Sequence, residues 1–409
     1  MELASNGTPD FAASIPALIA QRASMHAAKT ILRRKDRGIW KAVSWSQLAD
    51  QVKAIGEALL ACDLGRGGSA AIMSETKPEA VYADLAIQGT GAASIMIHPE
   101  EDADRIGHIL QSTGCRLVFV ESEEQLDRIL TVRDRCPALV RIVIFDMKGL
   151  REFSDQACVS LASFVTPSGA AGRSSAADWS AAVNAVMPDQ PAVMLFPRDE
   201  PRPQGRVLTH REVLQMVAGA RARLPLRPND ERLAVLRLAD LEERVWGLYV
   251  ALDAGCISNY LESPDTAAEN LQELQPTVLG ADAEAWAHLH GRASRFAKAA
   301  TATQRMAYEW ALRAGRHGSP RGSPRGSPSG SPRGGLGSAL ANLLVLRAVR
   351  RELGLNKLRL AYVGGGPVSA ATQDWANCLG ITIHRIDEPV PTGHQPDARH
   401  HSLMQGAPA

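Results

Sequence analysis

The fold is decided by residues 70–97, AAIMSETKPEAVYADLAIQGTGAASIMI. This stretch begins with a short apolar strand, Ala70–Met73, continues into a helical pattern near Pro78–Gln88 and ends with a second apolar strand, Ala93–Ile97. Short, largely apolar strands with a helix between them are typical of parallel βαβ units whose sheet is covered by helices. The stretch therefore predicts an α/β fold with a largely parallel sheet.

The same alternation extends in both directions along the chain. Further strands are predicted at Leu117–Val120, Arg141–Phe145, Ala192–Phe196, Leu233–Leu236, Cys256–Tyr260, Thr277–Gly280 and Leu358–Val363. Helices are predicted after Ser44 or Ser46 and ending by Gly65, at Asp102–Gln111, at Ser122–Asp134, after Thr209 and at Leu340–Leu353. The helix after Thr209 has the clearest start, because Glu212 three residues later completes a capping box.

Changes in composition divide the chain into six segments. We expect a flexible N-terminus at 1–14, a first α/β lobe at 15–188, a second α/β lobe at 189–314, a disordered Gly/Ser/Pro/Arg loop at 315–335, the remainder of the main domain at 336–390 and a flexible tail at 391–409. Residues 151–188 are expected to be rich in loops. The loop 315–335 contains GSPRGSPRGSP, which cannot bury a core. Its arginines are expected to be solvated, with contact to acidic lipid or RNA as the alternative.

The overall composition excludes several classes of protein. The 409 residues include 45 basic and 44 acidic ones, so the chain as a whole is not built to bind nucleic acid or an anionic membrane surface. No apolar run is long enough to predict a transmembrane segment. Residues 1–14 lack the features of a secretory signal, and the six scattered cysteines are expected to be free thiols. The expected location is the cytoplasm.

Five segments occur in a recognisable order. They are IPALIAQRA at 15–23, GIWKAVSW at 38–45, EERVWGLY at 242–249, ESPD at 262–265 with QPTV at 275–278, and LRLAYVGGGPVS at 358–369. The ordered set resembles the long-chain fatty acid branch of the AMP-forming, adenylate-forming acyl-CoA synthetases. The resemblance implies an N-terminal adenylation-type domain with two sheet-bearing lobes and flanking helices. It also implies a degenerate, C-terminally shortened member in which the cap domain is missing.

That family joins a carboxylic acid to ATP as an acyl-adenylate and then transfers the acyl group to the thiol of coenzyme A. The resemblance therefore implies a fatty acid or acyl ligand, weak binding of ATP or AMP, and Mg²⁺ and coenzyme A on the strength of the family alone. The family holds the triphosphate with a loop rich in Gly, Ser and Thr that contains a Lys.

In this chain the loop position is occupied by Pro203, Gln204 and Gly205, with Thr209 after them. The residues before them read PRDEPR at 197–202. Prolines remove N–H donors, acidic residues repel phosphate, and glutamine replaces the lysine, so we expect a poor cradle for a triphosphate.

Two further site positions follow from the resemblance. Gly364, Gly365, Gly366 and Pro367 are the candidate adenine-binding turn, although the same residues would also suit any strand-to-helix turn that needs positive φ. Leu238, Asp240 and Trp246 are the candidates for the acyl channel, and Asp240 places a charge where the family has histidine. The family's Mg²⁺-binding motif has no counterpart after Gly380, where Asp387 and Glu388 are expected to be exposed acids.

No catalytic residue is confidently retained, and no metal site is expected, since His394, His400 and His401 offer only a weak one. By resemblance the chain is a long-chain fatty acid–CoA ligase that is catalytically impaired. The alternative is a non-catalytic pseudoenzyme that binds a nucleotide or acyl ligand, or acts as a scaffolding partner of an intact synthetase.

Overall fold

The computed structural model describes residues 12–166, 179–197, 200, 202–299, 305–306, 308–309 and 346–386. The predictions for the loop 315–335, for the tail 391–409, for Asp387 and Glu388, and for the first residues of the Leu340–Leu353 helix lie outside these ranges. Residues 346–352 are helical, and Gly354, which ends this helix, has a φ of +74°.

Fourteen strands are arranged in two sheets within the described part of the chain. The strands are β1 (Thr30–Asp36), β2 (Ile39–Ser44), β3 (Ser69–Met73), β4 (Ala93–Ile97), β5 (Leu117–Val120), β6 (Arg141–Ile144), β7 (Cys158–Ser160), β8 (Pro191–Leu195), β9 (Arg206–Thr209), β10 (Glu231–Ala234), β11 (Ile257–Tyr260), β12 (Val278–Asp282), β13 (Leu360–Gly364) and β14 (Ile383–Arg385). Sheet 1 has the order β7-β6-β5-β3-β4-β8-β9, and sheet 2 has the order β14-β13-β12-β10-β11-β1-β2. All neighbours are parallel except the edge pairs β1–β2 and β8–β9.

Helices connect and cover these strands. They are α1 (Ile15–His26), α2 (Trp45–Ala61), α3 (Pro78–Gly89), α4 (Ala103–Thr113), α5 (Glu123–Val132), α6 (Leu161–Phe164), α7 (Trp179–Ala185), α8 (His210–Arg223), α9 (Val250–Ala254), α10 (Ala267–Leu274), α11 (Ala283–Ala299) and α12 (Ala370–Cys378), and a π-helix, Glu242–Tyr249, leads into α9. Both predicted N-caps are present as capping boxes, Ser44 with Gln47 and Thr209 with Glu212. Helix α2 ends at Ala61, before the predicted stop at Gly65.

Alternate residues of each parallel strand face different hydrophobic clusters. In β3, Ala70 and Ile72 join a central cluster, whereas Ala71 and Met73 join an outer one. Strands of sheet 2 contribute to the same central cluster, for example through Tyr362, and cover a third cluster on their other face. The two sheets are therefore packed through one shared core, with a further layer outside each sheet.

Sheet membership does not follow the order of the chain. Strands β1 and β2 join sheet 2 because β1 pairs with β11, with Leu32 opposite Ser258. Strands β8 and β9 belong to sheet 1 although they follow residue 188. The lobe boundaries at 15–188 and 189–314 stay a prediction, while the strands of each sheet come from both sides of residue 188.

The excursion at 151–188 holds more regular structure than expected in its described residues, namely β7, α6 and α7. The six cysteines form no disulfide. No helix among the described residues is long and apolar enough to cross a membrane.

Candidate functional site

A cavity of about 1030 Å³ lies at the carboxyl ends of the sheet 2 strands. Ala234, Leu261, Asp282 and Gly364, each at or next to the end of one of the strands β10 to β13, line it. The loops that follow β3 and β4 of sheet 1 close the opposite side. Ligands of parallel α/β sheets bind at this edge, so the cavity is the candidate functional site.

The predicted glycine turn lies at this cavity, where Gly364 and Gly365 form part of the wall. Gly364 is buried, and a Cβ there would lie 2.8 Å from Glu242 Cγ, so the side chain of Glu242 requires a glycine. Gly365 and Gly366 have φ values of +71° and +129°, and a Cβ at either position would meet no atom within 4 Å. The turn thus combines a left-handed backbone with open space, which lets a flat ligand approach the chain closely.

The cavity wall is strongly acidic. Eight of its lining residues are carboxylic acids and two are cationic; the acids are Glu75, Glu100, Asp240, Glu242, Glu262, Asp265, Asp282 and Glu284. Burial raises the pKa of Glu75, and the nearby charge of Glu121 raises it further. A cavity with this lining disfavours the entry of an anion.

Both cations of the cavity already have acidic partners. Arg237 lies 3.1 Å from Glu100, and Lys77 forms an ion pair with Glu121. These carboxylates already partly neutralise the two cations and would compete with a phosphate for them.

Described residues of the predicted phosphate-loop segment are hydrogen-bonded to helix α4. Arg105, which is buried, donates hydrogen bonds from its guanidinium to the carbonyl oxygens of Pro197 and Glu200. His108 Nε2 lies 3.1 Å from the carbonyl oxygen of Pro203. The described residues Pro197, Glu200 and Pro203 thus direct their carbonyl groups toward Arg105 and His108, whereas a phosphate cradle presents N–H groups to its ligand.

The individual loop candidates have structural roles, and none of them lines the cavity. Pro203 is buried and Gln204 is exposed. A Cβ at Gly205 would lie 2.9 Å from Phe196 and 3.0 Å from the sulfur of Met194, so packing against these two side chains requires the glycine. The Thr209 hydroxyl is engaged in the cap of α8, where it accepts a hydrogen bond from the Glu212 amide at 3.2 Å and donates one to its carboxylate at 2.9 Å.

The three candidates for the acyl channel are separated by the fold. Leu238 and Trp246 are each 2% exposed and pack in the central core, and neither lines the cavity. Asp240 lies in the cavity wall, 3.3 Å from Nε2 of the buried His98. Of this set, only Asp240 is placed where a ligand of the cavity would meet it.

Two buried ion pairs on the π-helix were not foreseen from the sequence. Arg232 donates to both carboxylate oxygens of Glu243 at 2.6 Å, and all their side-chain atoms are essentially buried. Burial raises the pKa of Glu243, and the charge of Arg232 opposes that rise. Gly247 makes room for this carboxylate, since a Cβ there would lie 2.3 Å from it.

The second pair joins the neighbouring residue Arg244 to Asp84 of helix α3. Tyr249 donates to Asp84 at 2.7 Å, and Ser94 donates to the same carboxylate at 2.6 Å. The two pairs fix the π-helix between the sheets, so Glu242, which precedes them, is held rigidly against the glycine turn. The only sequence signal for this network was the group of charged residues at 242–244, directly before the apolar run at 245–249.

Among the described residues, no three His, Cys, Asp or Glu side chains converge closely enough to hold a metal ion. The cavity's carboxylates are therefore spread over its wall.

Comparison with known proteins gives consistent results. The profile of the AMP-binding enzyme family matches residues 19–386. The protein fadD11 of Mycobacterium tuberculosis H37Rv, named as a fatty-acid–CoA ligase, is 26% identical over 212 residues, which are 51% of this chain and 37% of that protein. This match thus spans well under half of the curated relative.

Solved structures resemble this chain over most of its length. The anthranilate CoA ligase AuaEII in complex with anthranoyl-AMP has a TM-score of 0.64 at 16% identity, covering 93% of this chain and 60% of the ligase. The A-PCP didomain of carboxylic acid reductase from Segniliparus rugosus, in complex with AMP, has a TM-score of 0.66 at 17% identity, covering 93% of this chain and 52% of that one. At such low identity these likenesses establish the fold.

Proposed function

Because this chain belongs to the AMP-binding enzyme family and has the fold of its adenylation domains, we propose that it is a non-catalytic binding protein derived from the AMP-forming acid–thiol ligases. Its ligand would be an uncharged or weakly charged nucleoside or acyl compound at the carboxyl end of sheet 2. The observation that carries the proposal is the attachment of the loop segment to Arg105 and His108 through its own carbonyl groups.

The proposal rests on the poor match between this chain and a bound triphosphate. A triphosphate needs convergent N–H donors and at least one available cation. The loop offers carbonyl oxygens to α4, and Gly205 is used for packing. The described residues of the loop therefore do not fit ATP with its Mg²⁺.

The charge of the cavity adds to this argument. A carboxylate about 4 Å from a phosphate charge costs about 4 kcal/mol at an effective dielectric constant of about 20. Eight carboxylates line the wall, and its two cations are already paired. Even after allowance for solvent screening, a neutral nucleoside should bind better than its phosphorylated forms.

A residual ligase is the second candidate, and one observation favours it. The Gly364–Pro367 turn, which the resemblance assigns to adenine, lies at the cavity with open space beside Gly365 and Gly366. The fatty-acid–CoA ligase name of fadD11 makes a fatty acid the first substrate class to test. An intact synthetase as protein partner likewise stays a proposal.

The deciding experiment is ATP–pyrophosphate exchange with a panel of fatty acids from butyric to palmitic. We expect no exchange above the blank. Exchange that depends on both the acid and Mg²⁺ would overturn the non-catalytic proposal and support the ligase. In that case Gln204→Lys should raise the rate, whereas Gln204→Met, which has a similar length and no charge, should not.

A thermal-shift titration tests the binding claim separately. Adenosine, AMP and ATP are compared at millimolar concentrations, where a ligand that binds only the folded state raises the Tm. We expect the order adenosine, then AMP, then ATP. A larger shift with ATP than with adenosine would refute the argument from the cavity's charge.

A further inference from the structure

A second large pocket lies at the opposite end of sheet 2. Its volume is about 1180 Å³, and its wall includes Gln275, Lys357 and Gly380, which precede β12, β13 and β14. These positions are the amino ends of the strands, whereas the candidate functional site occupies the carboxyl ends. The two pockets are thus separated by the length of the sheet.

The charge of this pocket is opposite to that of the first. Arg347, Arg350, Arg351 and Lys357 line it, against one carboxylate, Glu273. That carboxylate is already shared, since it pairs with Lys35 and accepts a hydrogen bond from the Trp40 indole at 3.1 Å.

Three of the four cations are exposed and are not neutralised within the described residues. Arg347, Arg351 and Lys357 form no salt bridge with any described carboxylate. The sequence from 310 to 351 contains eight arginines and no aspartate or glutamate. Such a concentration of one sign of charge is a typical feature of anion-binding surfaces.

Arg350 contributes a further positive charge, because it is half-buried and has no acidic partner among the described residues. Its guanidinium donates to the carbonyl oxygens of Leu355 at 3.1 Å, Leu379 at 3.2 Å and Leu358 at 3.0 Å. These carbonyls fix the guanidinium but do not cancel its charge. Burial lowers the pKa of Arg350, and the charge of Arg347 lowers it further. An anion in the pocket would relieve both effects.

We propose that this pocket binds a phosphate-bearing small molecule, with Arg347, Arg351 and Lys357 contacting the phosphate groups and Arg350 supplying fixed positive charge. The pocket is concave and of ligand size, and arginine is the side chain best matched to phosphate oxygens. The phosphate group belongs either to a soluble compound or to a lipid headgroup. This site is separate from the nucleoside site proposed above and does not depend on it.

The test uses inorganic pyrophosphate as the probe in calorimetric titrations of the full chain. The triple variant R347A/R351A/K357A should bind at least about tenfold more weakly, a loss of about 1.4 kcal/mol. The control variant K53A/K148A/R151A removes the same charge from other parts of the surface and should bind like the wild type. Circular dichroism confirms that each variant is folded, and R347K/R351K, which keeps the charges, should retain most of the binding.

A second control separates the two pockets. The variant K77A/R237A removes the cations of the acidic cavity and should leave pyrophosphate binding unchanged. If that variant loses binding while R347A/R351A/K357A keeps it, or if the wild type shows no saturable binding, the proposal is overturned.

Vesicles identify the source of the phosphate. The pocket is assigned to a lipid headgroup if the protein sediments with phosphatidylcholine vesicles only when they contain phosphatidic acid, and if R347A/R351A/K357A does not. Saturable pyrophosphate binding without such sedimentation assigns it to a soluble compound.

Discussion

His210 should make the stability of this protein depend on pH in a way that a single substitution removes. It is the first residue of α8, has no exposed surface and accepts a hydrogen bond from the Ile15 amide through Nδ1 at 3.4 Å. Burial lowers the pKa of His210 from 6.5 to about 4, although Asp84 favours the protonated form. The folded protein therefore holds this imidazole neutral at a pH where the unfolded chain protonates it.

The sign and size of the effect follow from this difference. Because the folded pKa is the lower one, the stabilisation is complete above pH 6.5 and is lost as the pH falls toward about 4. Between pH 7 and pH 5 the loss from His210 alone is about 2 kcal/mol, from the roughly 1.4 kcal/mol that each unit of pKa difference contributes.

Urea unfolding followed by tryptophan fluorescence at pH 7 and pH 5 measures this loss. His210→Asn removes the titrating ring but keeps an oxygen that can accept from the Ile15 amide. From pH 7 to pH 5, the unfolding free energy of His210→Asn should therefore decrease by about 2 kcal/mol less than that of the wild type. His288→Asn, at an exposed histidine, should follow the wild type. Equal losses in the wild type and His210→Asn would refute the reasoning.

Three further predictions concern the loop, the turn and the buried pairs. Arg105→Ala should destabilise the protein by about 1–3 kcal/mol, because it leaves carbonyl groups of the loop unpaired. It should also speed hydrogen exchange of residues 196–206, and unchanged exchange would contradict the attachment of the loop to α4. Gly364→Ala should cost about 1–3 kcal/mol because its methyl group would overlap Glu242, and should abolish any thermal shift by adenosine. Glu243→Gln should cost about 3–5 kcal/mol, measured by urea unfolding. Glu243→Leu combined with Arg232→Met should be less destabilised than Glu243→Gln; an equal or larger loss would contradict this reasoning.

The βαβ core could be predicted because its information is local. Ala70–Met73 and, apart from Ser94, Ala93–Ile97 are apolar and bounded by turns, and the structure places β3 and β4 within one residue of these limits. The ends of some strands differ from the prediction, because contacts with other segments decide where a strand stops. Strand β10 runs over Glu231–Ala234 and not over Leu233–Leu236. Leu236 lies outside the sheet, where its carbonyl accepts a hydrogen bond from Thr76 at 2.9 Å.

The arrangement of the site could not be predicted because it depends on contacts between distant segments. The carboxylates of the cavity come from loops after strands of both sheets, and nothing in the sequence indicates that Glu75 and Glu284 face one space. The hydrogen bond that attaches the loop to α4 joins Arg105 to Glu200, which are 95 residues apart in the chain. The pairing of β1 with β11 decides which sheet the N-terminal strands join, and it too links distant residues.

The two glycine motifs show why resemblance of sequence overestimates what a site retains. The resemblance places both Gly205 and Gly364–Gly366 at positions where the family has functional glycines. At Gly205, the side chains of Phe196 and Met194 fill the space that a Cβ would take, so the glycine serves packing. At Gly365, which lines the cavity, and at the adjacent Gly366 the space beside the backbone is open, and both residues have positive φ. Glycine preserved for packing says nothing about a ligand, whereas glycine beside open space in a cavity does. Under the proposed function, the nucleoside half of the ancestral site is still accessible, and the phosphate half has become a structural element attached to sheet 1.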